Sequence, residues 1–207
     1  MNTSKRERVR KGYHRIAFPI LFFILIHGVV YALPYLSREE AFSLAFPDTD
    51  TIQQKSAVLL PWQQKKVAEL SRESMPPRII RYLKGFQKEQ VTGYALVSRT
   101  KGKADRFKFM VAVSPDGSVK QVSILSYQGT RGKGICKKRF LKQFIGKALS
   151  DPIRVNRDIH AVTGATMSSM ALAKEVRIAI ACLKVISEAA PGLRNEPRIP
   201  AGNAAYP

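Results

Sequence analysis

One short run of small residues offers the clearest chemistry in this sequence. Thr163-Gly164-Ala165-Thr166 follows an extended stretch and leads into a long apolar helix. The free amides and the dipole of a helix N-terminus favour an anion such as a phosphate, and a glycine permits close approach of a ligand. Ser168 adds a further hydroxyl. Taken alone, the run also fits an ordinary N-cap, because Ser and Thr are preferred at that position in all helices.

A second run lies about 30 residues earlier, at 129–134, and reads Gly-Thr-Arg-Gly-Lys-Gly. It follows directly on a predicted strand. Three glycines in six residues suit close contact with a planar or phosphorylated ligand, so Thr130, Gly132 and Gly134 are candidate cofactor-binding residues. The alternative is a solvent-exposed turn between a strand and a helix. We predict no catalytic acid, base or nucleophile and no metal ligand.

Other elements of the fold must position these two runs, and the pattern of capping and hydrophobic residues predicts those elements. Ser37 and Glu40 have capping-box spacing and open a short helix that ends before Pro47, and a second helix runs from Pro61 to about Ser71. Stretches rich in Val, Ile, Tyr and Phe predict strands over 78–83, 90–98, 106–113 and 119–127. Ser114-Pro115-Asp116-Gly117 predicts a hairpin between the last two.

Two further helices are predicted after the sheet. A basic helix runs from Cys136 to about Phe144, and a long helix begins near Ser168. Apolar residues at alternating spacings of four and three give the long helix one buried face; they are Leu172, Val176, Ala179, Leu183 and Ile186. The predicted class is α+β, with helices packed on one antiparallel sheet.

The N-terminal segment predicts a membrane anchor. Residues 16–36 contain no Asp, Glu, Lys or Arg and are long enough for one helical span. The basic run at 1–15 keeps the N-terminus in the cytoplasm and sends the remainder across, so we expect a single-pass protein of a bacterial inner membrane with a periplasmic domain. The alternative is a cleavable signal peptide ending at Val30-Tyr31-Ala32. The remaining segments are a helical connecting segment over 37–77, the main domain over 78–190 and a disordered tail over 191–207.

The 207 residues carry a net charge of +20. No nucleic-acid motif accompanies this charge, so we expect a surface that attracts acidic redox partners or anionic lipids and no nucleic-acid partner. Cys136 and Cys182 belong to no CxxC pattern or His/Cys cluster, which argues against zinc or iron–sulfur ligation. A disulfide between them is one alternative.

In this order, the features resemble a known family over about residues 10–190. The family is the FMN-binding domain found in the C component of the sodium-translocating NADH:quinone reductase, in the G component of the Rnf-type electron-transport complex, and in stand-alone membrane-anchored flavoproteins. The similarity rests on the anchor, SREEAFSLAFP, the Pro115-Asp116-Gly117 hairpin, FLKQFIGKALSDP and VTGATMSS. The glycine loop matches the family pattern at Thr130, Gly132 and Gly134.

The resemblance implies FMN as the cofactor and an attachment site for it. The family's motif is matched by Thr163, Gly164, Ala165, Thr166 and Ser168. Its last threonine carries FMN in a phosphoester bond, which places attachment at Thr166, and a separate FAD:protein FMN transferase makes that bond. The motif usually begins with Asp where this chain has His160, with Asp158 two residues earlier. An acid there could present the threonine or fix the loop by accepting amide hydrogen bonds.

The function expected from this resemblance is electron transfer rather than turnover of a metabolite. FMN does the redox chemistry, and the protein supplies tethering, burial and electrostatic tuning, for which Arg131 and Lys133 are candidates. The partners are the transferase and a membrane or periplasmic redox protein such as a quinone reductase or a cytochrome. Two alternatives stay open: a non-flavinylated structural component of a redox complex, and a flavin-dependent reductase of a small substrate.

Overall fold

A five-stranded antiparallel sheet forms the centre of the domain in the computed structural model, which describes residues 35–103, 105–129 and 132–189. The strands lie side by side in chain order. The β4–β5 turn is the predicted hairpin: the Gly117 amide donates to the Ser114 carbonyl, and Asp116 accepts from the amide and hydroxyl of Ser118. The strands are β1 (Thr51–Val58), β2 (Ile79–Gln87), β3 (Gln90–Lys101), β4 (Arg106–Val113) and β5 (Val119–Gln128).

Helices cover both faces of the sheet. On one face, α1 (Arg38–Ala45) packs Phe42 against Met110 of β4 within a small apolar cluster. On the other face, α2 (Pro61–Ser71) and the long α4 (Thr166–Ala189) enclose the larger core. Because both faces are covered, β4 is buried along almost its whole length. The α+β class is therefore confirmed.

Several predicted elements are confirmed. The capping box of α1 is present: the Glu40 amide donates to the Ser37 hydroxyl at 3.1 Å, and the Ser37 amide donates to the Glu40 carboxylate at 2.8 Å. The α2 helix has its predicted limits. The α4 helix begins two residues earlier than expected, and every residue of its predicted apolar stripe is buried.

Two predictions about secondary structure were wrong. Strand β1 was not predicted, and it lies within the segment expected to be a helical connection over 37–77. It is an edge strand without a buried residue, so its sequence, TIQQKSAV, lacks a clear apolar alternation. The expected basic helix from Cys136 is three shorter pieces: a 3-10 turn (Lys133–Cys136), α3 (Lys138–Leu141) and a second 3-10 turn (Lys142–Phe144). Extended backbone at Lys137 interrupts it.

The predicted membrane anchor over 16–36 lies outside the described residues except for Tyr35 and Leu36, as does the tail from 191. Across 35–103, 105–129 and 132–189, no helix has both the length and the apolar character needed to cross a bilayer. Cys136 is half-buried and Cys182 is buried in α4; both are free thiols, so no disulfide joins them.

Candidate functional site

Thr166 is the first residue of α4, and its side chain is exposed. Thr163 and Gly164 are exposed as well, whereas Ala165 is buried. Gly164 has a φ of +76°, a left-handed backbone that glycine adopts without strain. The predicted run is therefore a surface loop that ends on a helix N-terminus, with the Thr166 hydroxyl open to a modifying enzyme or a ligand.

Ser169 fixes the backbone of this loop through two hydrogen bonds. Its side chain is fully buried, and its hydroxyl accepts from the Val162 amide at 3.2 Å and donates to the Ala165 carbonyl at 2.9 Å. The Ala165 amide in turn donates to the Val162 carbonyl at 2.8 Å. These bonds use the Ser169 hydroxyl to fix the backbone of the loop.

The two glycine-containing runs, predicted separately, meet in the fold. A Cβ added at Gly134 would lie only 2.4 Å from Val162 Cγ1, so the glycine loop and the segment before Thr163 touch at a position where no larger residue fits. Gly132 has a φ of +84°. Thr130 and Arg131 lie outside the described residues, so their roles stay predictions.

A buried polar cluster lies beneath the glycine loop. A Cβ at Gly132 would lie 2.3 Å from Tyr127 Oη, 2.7 Å from Asp105 Oδ2 and 3.0 Å from Ser168 Oγ, so these three polar atoms converge on one point. The carboxyl of Asp105 and the hydroxyl of Ser168 both form hydrogen bonds with the Tyr127 phenol. Burial first, and then the bond to Asp105, raise the pKa of Tyr127 far above its usual value.

The cluster joins three parts of the chain that the sequence analysis did not connect. Asp105 precedes β4, Tyr127 is near the end of β5, and Ser168 is in the first turn of α4. Ser168 was predicted from the motif, but Asp105 and Tyr127 were missed. The available signal was weak: an isolated acid in the basic turn KGKADR, which the fold buries to 5 % exposure.

Replacing Tyr127 by Phe should loosen the glycine loop. The change removes the phenol hydroxyl, which is hydrogen-bonded to the buried Asp105 carboxyl and the buried Ser168 hydroxyl. An unsatisfied buried polar group costs about 1–3 kcal/mol. We expect a lower melting temperature and faster amide hydrogen exchange at Gly132 and Gly134. Tyr94→Phe is the matched control. The pKa of Tyr94 is raised by burial alone, without the contribution from a carboxyl hydrogen bond that Tyr127 has. Equal exchange rates in both variants would show that the cluster does not hold the loop.

Asp158, the acid two residues before His160, bonds to the preceding turn rather than to the loop at 163–166. The Asp158 carboxylate accepts from the amides of Ile153 at 3.0 Å and Arg154 at 2.8 Å and pairs with Lys147 at 2.8 Å. Burial tends to raise the pKa of Asp158, but these bonds outweigh it and the net pKa is lowered. Asp158 is therefore committed to the preceding turn.

At His160 the loop is fixed through its backbone rather than through the imidazole. The His160 amide donates to Gln143 Oε1 at 2.8 Å, and its carbonyl accepts from Gln143 Nε2 at 3.2 Å. The histidine side chain is exposed. The side chain of Gln143 thus fixes the loop at His160, which is one of the two roles that an acid could have had there.

The surroundings of Thr166 fit a phosphorylated aromatic group. The helix start supplies amides for an anion, and the left-handed Gly164 leaves room beside them. Met167 and Met170 are about half exposed, at 53 % and 50 %, and Met170 is one helical turn from Thr166. Thioether side chains are well suited to pack against a ring. Lys133, at the edge of the glycine loop, is exposed.

One family model and two known proteins resemble parts of this chain. Residues 102–181 match the family model of the FMN-binding domain. The G component of the proton-translocating ferredoxin:NAD(+) oxidoreductase complex of Clostridium ljungdahlii is 37 % identical over 95 residues, which cover 42 % of this chain and 51 % of that protein. The chain thus spans about half the length of this curated relative.

Among solved structures, the crystal structure of NqrC from Shewanella oneidensis resembles this chain with a TM-score of 0.48 and 16 % identity, covering 67 % of this chain and 85 % of that one. The matched segment 102–181 contains the glycine loop, the buried cluster and the helix start at Thr166. Over this segment the predicted resemblance to the FMN-binding domain family is confirmed, and the cofactor is FMN.

Proposed function

We propose that this chain is a membrane-anchored, periplasmic flavoprotein that carries FMN covalently on Thr166 and transfers electrons, alone or within a membrane redox complex. The observation that carries the proposal is the exposed hydroxyl of Thr166 at the start of α4, inside the segment that matches the FMN-binding family. An accessible hydroxyl at an anion-favouring helix start suits a phosphoester. An FAD:protein FMN transferase would make that bond.

The bound FMN would supply the redox chemistry, and the protein has three tasks. Helix amides at the start of α4 would hold the phosphate. Ser169 and the Asp105–Tyr127–Ser168 cluster hold the two loops in fixed positions. The exposed ammonium of Lys133 places positive charge beside the loop, which favours the reduced, anionic flavin and raises its potential.

Three measurements on the purified full-length protein test this function. After co-expression with a flavin transferase, we expect flavin absorption at about one FMN per chain, reversible bleaching by dithionite, and no steady-state turnover of soluble metabolites with reduced nicotinamide. Protein without flavin absorption would support the alternative of a non-flavinylated structural component. Sustained turnover of a small substrate would support the reductase alternative.

The predicted topology has its own test. The basic run at 1–15 before an uncharged stretch at 16–36 favours a cytoplasmic N-terminus and a periplasmic domain. A reporter that is active only in the periplasm, fused after Pro191, should be active, and the mature protein should retain its N-terminal segment. Activity of a cytoplasm-only reporter at the same position would contradict the topology. A mature N-terminus at Leu33 would show a cleaved signal peptide instead of an anchor.

A further inference from the structure

A long part of the chain beside the site is basic without any acidic residue. No Asp or Glu occurs between Asp116 and Asp151, and the basic residues in this stretch are Lys120, Arg131, Lys133, Lys137, Lys138, Arg139, Lys142 and Lys147. Five of them lie within the glycine loop or shortly after it, and all five are exposed. We call these five the basic surface: Lys133, Lys137, Lys138, Arg139 and Lys142.

The charges of the basic surface are not neutralised by the domain itself. Within the described ranges, none of its five residues forms an ion pair. Some cations elsewhere in the domain have partners within it: Lys66 pairs with Glu188 at 2.9 Å, and Lys147 pairs with Asp158 at 2.8 Å. Like charges held close together repel one another and weaken the fold. A concentration of unpaired cations at one place therefore suggests a partner outside the chain.

The basic surface lies next to residues 160–166, which we call the attachment loop. Three side chains of its segment are buried in the core, each at most 2 % exposed: Ile135, Phe140 and Phe144. The two phenylalanine rings pack edge-to-face with their centroids 5.5 Å apart. The segment contacts the attachment loop at both of its ends. Gly134 touches Val162 at one end, and the Gln143 side chain binds the His160 backbone at the other.

We propose that the basic surface docks the acidic face of a redox protein that exchanges electrons with FMN on Thr166; this inference rests on the function proposed above. An electron-transfer partner must approach the flavin, and the charged residues on this flank of the attachment loop are cationic. Complementary charge raises association rates 10- to 10³-fold and orients the encounter, and this steering weakens as salt increases.

The test uses one redox protein in two charge forms: native cytochrome c, which is basic, and succinylated cytochrome c, in which lysines carry carboxylates. The dithionite-reduced, desalted, full-length holoprotein in neutral detergent reduces each form in a stopped-flow experiment. We expect faster reduction of the succinylated form at low salt. The triple variant Lys137→Glu/Lys138→Glu/Arg139→Glu should reduce it about tenfold more slowly, and the difference should vanish near 0.5 M salt.

The matched control is Lys65→Glu/Lys88→Glu/Lys120→Glu, which has the same net charge but changes exposed lysines on α2, the β2–β3 turn and the far end of β5. It should slow the reaction less than threefold. Equal slowing in both variants would overturn the proposal, because it would show an effect of net charge alone. Unchanged rates together with lost binding to phosphatidylserine vesicles would reassign the surface to lipid. Absence of flavin absorption would instead reject the function on which the inference rests.

Discussion

Thr166→Ala is expected to abolish covalent flavin in this protein. Alanine removes the hydroxyl that would form the phosphoester. The rest of the structure should be unaffected, because the Thr166 side chain is exposed at the first residue of α4. After co-expression with the transferase, wild type should give a fluorescent band on a denaturing gel and the variant should give none. The loss should be complete rather than partial, because a covalent bond cannot form without its oxygen.

Thr163→Ala is the matched control, since Thr163 is a threonine on the same exposed loop. We expect at least part of the fluorescence to remain, because its hydroxyl is not the attachment point of the motif. Thr166→Ser should keep attachment if the transferase needs only a hydroxyl. Equal fluorescence in wild type and Thr166→Ala would show that FMN is attached elsewhere or not covalently.

Glu73→Ala should cause the largest loss of stability among the substitutions discussed. Arg177 is 8 % exposed, and its guanidinium donates to the Glu73 carboxylate and the Ile153 carbonyl. It thereby joins α4 to the segment after α2 and to the loop at 153. Removing one partner of a buried ion pair costs about 3–5 kcal/mol because the other charge remains buried. In a protein of this size, about 3 kcal/mol corresponds to a melting temperature roughly 6–12 °C lower.

The double variant Glu73→Leu/Arg177→Met is the control for this prediction. It removes both charges, and apolar replacement of a buried pair is often neutral. Urea unfolding should therefore show a smaller loss for the double variant than for Glu73→Ala. A single variant within about 0.5 kcal/mol of wild type would mean that Arg154, whose guanidinium lies 3.6 Å from Glu73, or water already stabilises the site.

The sequence predicted those elements of the fold whose local pattern matches their environment. The apolar stripe of α4 faces a core, and the capping residues of α1 satisfy neighbouring amides, so spacing alone identified both. Strand β1 was missed because its position is fixed by pairing with β2, from Thr51 opposite Phe86 to Val58 opposite Ile79. An exposed edge strand needs little apolar alternation, so such pairing leaves a weak local signal.

The same distinction applies to the site. Glycines and hydroxyls identified both loops because their conformations require particular residue types, as at Gly132 and Gly164. The contact between Tyr127 and Asp105, and the use of Gln143 to hold His160, depend on residues brought together from different elements. Side-chain contacts of this kind follow from the tertiary structure and have no fixed spacing in the sequence.

The strand order has a consequence for the timing of cofactor attachment. Each strand pairs with the strand that precedes it in the chain. Short turns join β2 to β3, β3 to β4 and β4 to β5, whereas α2 lies between β1 and β2, and such local pairing favours fast folding. The attachment loop differs, because its hydrogen bonds come from Ser169 inside α4, the last helix described. We therefore expect Thr166 to reach its final position only after α4 has docked, so that FMN transfer becomes a late event that marks a fully folded domain.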